Sequence, residues 1–459
     1  MSSARLPLWF LVANWVVVCA AFVLGIVLGR RTPLPDPQAT AIRIVYDEIQ
    51  RSYVDQVDGP AMLDRAIAAM ARLDDYSRYI PQLEVPRFVE ETTGTYEGIG
   101  VVLHFAEDGV FVRIPVDGGP GDRAGLMPGD LVVSIDGTRI ADLAARERTQ
   151  LAEERLRGAA GSHVTIVIAR DGEERTMDVE RAAVQKSSVK WAQMLDADRG
   201  LGYVHLADFH PGSQKALARE LETLGKTHGG LRGVVLDLRF DLGGSLDEAV
   251  AIARMFVEAG NIVSLRRRDS EVLERFDADT TQCTFPDLPM VVIVNESSAS
   301  ASEVLAGALQ DHARAAIVGT ATYGKGVVNT IYEWHGQPFR LKLTTARYFT
   351  PSGRNLDRGR HRNGTPTTAK REATSTAESA ASTDKGGGIH PDREQALDDA
   401  VQEAAQRALA EFPVPEHHRD ALTRWALARN SRVPGILLPS EDRQLQVAIE
   451  VLRERIGGG

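Results

Sequence analysis

Three short segments carry residue types at spacings that suit chemistry. Asn295 to Asp311 reads NESSASASEVLAGALQD, small polar residues leading into an amphipathic helical pattern. A serine at such a strand-to-helix crossover lies where active sites of α/β sheets collect, and the helix dipole favours the negative charge of an activated hydroxyl. Ser300 and Glu303 also have the spacing of a capping box, a purely structural use. Gly319 to Gly326 reads GTATYGKG and sets Lys325 between glycines. Packed among apolar groups, a lysine loses affinity for its proton and becomes a general base; in water it stays a charged turn residue. Asp237 to Ala249 reads DLRFDLGGSLDEA. Its Gly243 and Gly244 can offer backbone N–H groups to an oxyanion together with that of Ala301, or can serve only a tight turn.

Competing chemistries fit less well. GTATYGKG matches G-x-x-x-x-G-K, but Gly326 stands where a phosphate loop needs a magnesium-binding hydroxyl, and a strand pattern follows where a helix should begin. No G-x-S-x-G elbow exists. His312 lies about 18 Å from Ser300 along the same helix, too far for a hydrogen bond. The eleven histidines are scattered with no HExxH, so no metal or cofactor is expected. Cys19 falls in an apolar run and Cys283 stands alone, which leaves no structural disulfide and turns the search for a nucleophile to serine. A formal charge of −10 supplies no basic surplus for nucleic acid.

The elements that must position these residues follow in order along 459 residues. Residues 1–31 hold the uncharged run Leu6 to Gly29, long enough to cross a hydrocarbon layer of ~30 Å, and are expected to form an uncleaved single-pass anchor. Residues 32–90 show helical spacing and end in the loop LDDYSRYIP. Residues 91–185 alternate in short strands separated by Asp-Gly and Pro-Gly turns. Residues 186–392 alternate apolar strands with helices, the pattern of a largely parallel sheet, with an insertion at 355–388 expected to be disordered. Residues 393–459 are expected to be helical. The fold class is therefore α/β within an α+β multidomain chain.

Read together, these segments resemble the C-terminal processing peptidases, or tail-specific proteases. The resemblance runs in order through LDDYSRYIP, YEGIGVVL, GGPGDRAGLMPGDLVVSIDG, GYVHLADF, GVVLDLRFDLGG, SSASASE, TYGKG and the divided TPSGR…GGIHPD. It implies a PDZ-like domain followed by a serine-peptidase core. The family's nucleophile sits twenty-five residues before its lysine, which selects Ser300 with Lys325. The resemblance implies amide hydrolysis by that dyad, an oxyanion site at Gly243, Gly244 and Ala301, and capture of a substrate's C-terminal tail by the Gly98-Ile99-Gly100-Val101 loop. Two positions depart from the family: Asn329 replaces the glutamine that orients the dyad, and Phe240-Asp241-Leu242 replaces Asn-Asn-Pro before the glycine pair. The expected protein is an endopeptidase of exported or membrane proteins, held in the cell (inner) membrane with its bulk on the exported side. A catalytically weak adaptor that binds tails without cutting is the alternative. A homo-oligomer or adaptor partner is left open.

Overall fold

The computed structural model describes residues 37–227, 229–267, 271–359, 387–409, 416–429 and 442–457. The expected anchor, Leu6 to Gly29, lies outside the described residues. Among those described, no helix is long and apolar enough to cross a membrane. Residues up to Met70 form a unit of their own, in which two helices run over Pro37–Ser52 and Gly59–Ala71.

The second unit holds the rest. Four apolar strands, Leu201–Leu206, Gly233–Asp237, Met290–Val294 and Ala315–Gly319, lie parallel in one six-stranded sheet, with Val189–Asp196 antiparallel at one edge and Arg393–Glu394 at the other. Both faces are covered, so every residue of Gly233–Asp237 and Met290–Val294 is buried. Strand alternation divides them: Val234, Leu236, Met290, Val292 and Val294 pack toward helices Ser213–Gly225, Leu246–Phe256 and Ala301–Asp311. Val235, Val291 and Ile293 face the C-terminal helix Arg443–Gly457 through Leu445, Ala448 and Leu452. Fully burying each such side chain contributes about 1.5–3 kcal/mol.

A second, five-stranded sheet stands beside it, built on Arg340–Phe349. Arg78–Ile80, expected to lie in the loop that closes the helical module, is instead an edge strand of this sheet, paired with Arg340–Lys342. Within the expected disordered insertion, residues 355–359 are structured: Leu356 is wholly buried and Asn355 bridges to Phe349. Residues 360–386 lie outside the described residues. The β-rich segment forms a six-stranded antiparallel sheet around Ile99, Val112, Ile135, Ile166 and Ile168.

Candidate active site

The three sequence segments converge because the strands before them are neighbours. Gly233–Asp237 pairs with Met290–Val294, which pairs with Ala315–Gly319, all parallel. Their carboxyl ends therefore deliver the turns at 238–245, 295–300 and 320–326 to one crevice, where ligands of open α/β sheets bind.

Ser300 stands at the N-terminus of helix Ala301–Asp311 with φ 58° and ψ −114°, a conformation uncommon for a residue with a Cβ. Such strain costs on the order of 1–3 kcal/mol and persists only where the surroundings enforce it. The enforcement is visible. Ser298 Oγ donates to Leu238 O at 2.8 Å, and Ser302 Oγ donates to Asp241 O at 3.0 Å. These two hydroxyls are wholly buried pins of the turn. Ser300 is 5 % exposed, and the Tyr348 hydroxyl lies beside its own. Burial pushes the Tyr348 phenol up to about 12, so it remains a protonated partner.

Lys325 is largely enclosed, with Nζ 5.5 Å from the Tyr76 ring centroid. Burial, and then the charge of Lys342, lower its ammonium to about 8 against the pull of Glu303. The adjoining Gly326 explains the glycine-lysine-glycine pattern: a Cβ there would stand 1.9 Å from Asp357 N. The glycine lets the loop lie against residues 356–357.

Glu303 joins the two chemical residues. It is fully buried, and its carboxylate accepts from Ser300 N at 2.8 Å, Lys325 N at 2.9 Å, Gly324 N at 2.7 Å and Thr322 Oγ1 at 2.5 Å. Burial pushes its carboxyl up, against those four bonds. The capping-box spacing pointed to the Ser300 contact; the reach to the lysine loop had no signal in the sequence. Nor did Tyr348, which arrives from the second sheet.

Asn329 sits elsewhere: its amide donates to Thr344 Oγ1 at 3.0 Å. Among the described residues no hydrogen bond joins Lys325 Nζ to Ser300 or Asn329, a looseness usual before substrate binds. Thr344 in turn donates its N–H to Ser77 Oγ at 3.0 Å, so Asn329 is tied to the LDDYSRYIP segment. Gly243 packs on Ser300, and its N–H donates to Asp241 Oδ1 at 2.7 Å. Gly244 faces the other way, bridged to Phe209. Ala301 opens the helix that follows Ser300. Cys283 is a free thiol raised by burial, unsuited to act as a thiolate.

In the β-rich domain, strand Val101–Ala106 and helix Ala145–Leu156 border a groove of about 370 Å³ lined by Ile99, Leu103, Phe105, Ala152 and Leu156. Gly98 pairs with Ala182 in a two-stranded ribbon, and the Ile99 N–H already donates to Leu156 O at 3.2 Å. Gly100 and Val101 remain at the groove's head, with Gly100 at φ 67°.

A serine at a strained helix start, a buried lysine and a grooved β domain are the parts of a serine peptidase joined to a PDZ-like domain. Comparison with known proteins agrees. Residues 200–362 match the model of peptidase family S41, and residues 98–180 match the PDZ domain. A carboxy-terminal-processing protease of Bartonella bacilliformis is 34% identical over 318 residues, covering 68% of this chain and 71% of that protein. A probable CtpA-like serine protease of Staphylococcus aureus is 31% identical over 318 residues, covering 68% of this chain and 61% of that one. Among solved structures, a photosystem II D1 C-terminal processing protease is 26% identical, covers 83% of this chain and 99% of its own, and superposes with a TM-score of 0.42. The chain belongs to the carboxy-terminal-processing serine proteases of peptidase family S41.

Proposed function

We propose that this serine peptidase is a membrane-anchored endopeptidase that cuts exported or membrane proteins near their C-termini with a Ser300–Lys325 dyad. The observation that carries the reading is the single buried carboxylate of Glu303, which fixes the backbone of both residues in one crevice. Neutral Lys325 takes the proton of Ser300 Oγ as the oxygen attacks the scissile carbonyl. The tetrahedral oxyanion is held by N–H groups of Gly243 and Ala301, Gly244 being turned toward Phe209. Collapse expels the amine with the proton from Lys325, and water, deprotonated by the same lysine, releases the acyl group. Asn329 acts through Thr344 on the sheet behind Lys325. A substrate tail adds as a strand beside Val101–Ala106, its carboxylate at Gly100 and Val101. The apolar run Leu6 to Gly29 anchors the chain in the cell membrane with its bulk on the exported side.

The test uses an unstructured protein with an apolar C-terminal tail, incubated with the wild type, Ser300→Ala and Lys325→Ala. Cleavage by the wild type alone supports the enzyme. Tail binding with no cleavage by any of the three establishes the adaptor instead. Membrane fractionation with protease protection checks the anchor and its orientation; a chain found in the aqueous fraction sinks that part of the reading.

A further inference from the structure

Of the proposed oxyanion donors, Gly243 lies in direct contact with the nucleophile. A Cβ built on it would stand 2.9 Å from Ser300 Cβ and 2.8 Å from Ala301 N. Its N–H nevertheless donates to Asp241 Oδ1 at 2.7 Å, two residues back in the same turn. Asp241 is wholly buried and fastened to the nucleophile turn, its carbonyl accepting from Ala299 N at 2.9 Å and Ser302 Oγ at 3.0 Å. The other carboxyl oxygen, Oδ2, is buried without a hydrogen-bond partner. An orphaned buried oxygen is costly to keep. The turn also carries Phe240 at φ 63°, a second departure from ordinary backbone. Leu242, between the acid and the glycine, is 71% exposed and packs on little that would hold it.

We propose that Asp241 is a positioning residue that keeps the Gly243 N–H inside the turn, leaving the oxyanion site incomplete until residues 241–243 turn over. The proposal rests on Ser300 being the nucleophile. The backbone is suited to the change: Gly243 at φ 91° has no Cβ to block rotation of the Leu242–Gly243 peptide, and Leu242 swings through solvent. Burial pushes the Asp241 carboxyl well above the usual carboxylate range, so the acceptor is a neutral acid. A neutral acceptor holds an N–H less tightly than a carboxylate and sets no full negative charge beside the oxyanion. The turn can therefore be released by the binding of substrate, whose carbonyl oxygen takes the donor in exchange.

The experiment measures, on the full chain, the rate at which a fluorophosphonate labels Ser300, with kcat and KM for a short chromogenic peptide. Asp241→Ala and Asp241→Val remove the acceptor; each should speed labelling and raise kcat at least tenfold, with KM little changed, since one oxyanion donor contributes about 10²–10³ in rate. Asp241→Asn restores an Oδ1 acceptor and with it the slow rate. Apolar variants that keep the wild-type melting temperature yet label no faster overturn the proposal. If neither apolar variant folds, Asp241→Asn decides alone: a slow rate supports the captive donor, and a tenfold faster one overturns it. Labelling that persists in Ser300→Ala refutes the nucleophile assignment itself, a result distinct from any change at Asp241.

Discussion

Lys325 and Glu303 perform separable tasks at the level of single residues, and pH distinguishes them. The proposed base is the neutral amine, and enclosure lowers the Lys325 ammonium to about 8. Activity should therefore climb as pH rises through about 8, read as the lower limb of kcat/KM against pH. Lys342 is the second cause of that depression, so Lys342→Gln should move the limb to higher pH; an unmoved limb would mean another group titrates. Glu303 has four donors aimed at two oxygens. Glu303→Gln turns one acceptor into an amide that faces donors, leaving buried N–H groups unpaired at about 1–3 kcal/mol. The lysine loop should drift, and a displacement near 1 Å lowers kcat by about a hundredfold. Thermal melting and kcat together check this, and the limb near pH 8 should survive in the residual activity.

Between elements, the strand that leads to the Asp241–Gly243 turn is held by buried charge. Arg239, 2% exposed, chelates Asp237 at the end of the strand before it, and meets Asp442, just ahead of the C-terminal helix, at 2.9 Å and Gln444 on that helix at 3.2 Å. Tyr203 adds a hydroxyl to Asp237 at 2.8 Å. Replacing the cation alone strands two carboxylates, so Arg239→Met should cost about 3–5 kcal/mol in denaturant unfolding. In the PDZ domain Gly100 has φ 67°, and a Cβ there would lie 3.3 Å from Val184 Cγ2. Gly100→Val should abolish binding of an apolar-tailed peptide while hydrolysis of a short, tail-less substrate continues. Equal loss of both would show that tail binding and chemistry are not carried by separate elements.

On the scale of the whole molecule, the last described segments bind the peptidase and PDZ parts together. Helix Arg419–Ala428 lies on the PDZ sheet: Trp425 meets His104 edge-on at 5.3 Å between ring centroids, and the Arg429 guanidinium sits 3.8 Å from the Phe111 centroid. His417 Nε2 and His418 Nε2 both approach Asp122 Oδ1, at 3.0 and 2.7 Å. Asp122 raises the affinity of His417 for its proton. The raised folded value makes this contribution complete below the free-histidine range and lost as pH rises above it. Proteolytic release of the C-terminal segment should accordingly be slower at pH 6 than at pH 8, and His417→Ala should remove the difference.

Much of this organisation was legible in the chain itself, because it rests on local pattern. Apolar runs such as MVVIV and GVVLD required strands covered on both faces, and alternating turns marked a small β-rich domain; the pairing of Ser300 with Lys325 came from the resemblance to a family and its twenty-five residue spacing. The part of the site made by contacts between distant segments was not legible. Tyr348 reaches Ser300 from another sheet, the end of the LDDYSRYIP segment, Arg78–Ile80, becomes a strand on that sheet, and Asn329 turns to Thr344. The sequence determined which residues can do chemistry and which strands carry them, since hydrophobic period and turn chemistry act over a few residues. Tertiary structure alone decided how those residues are poised. Burial sets the proton affinities of Lys325, Glu303 and Asp241, and burial belongs to the packed molecule.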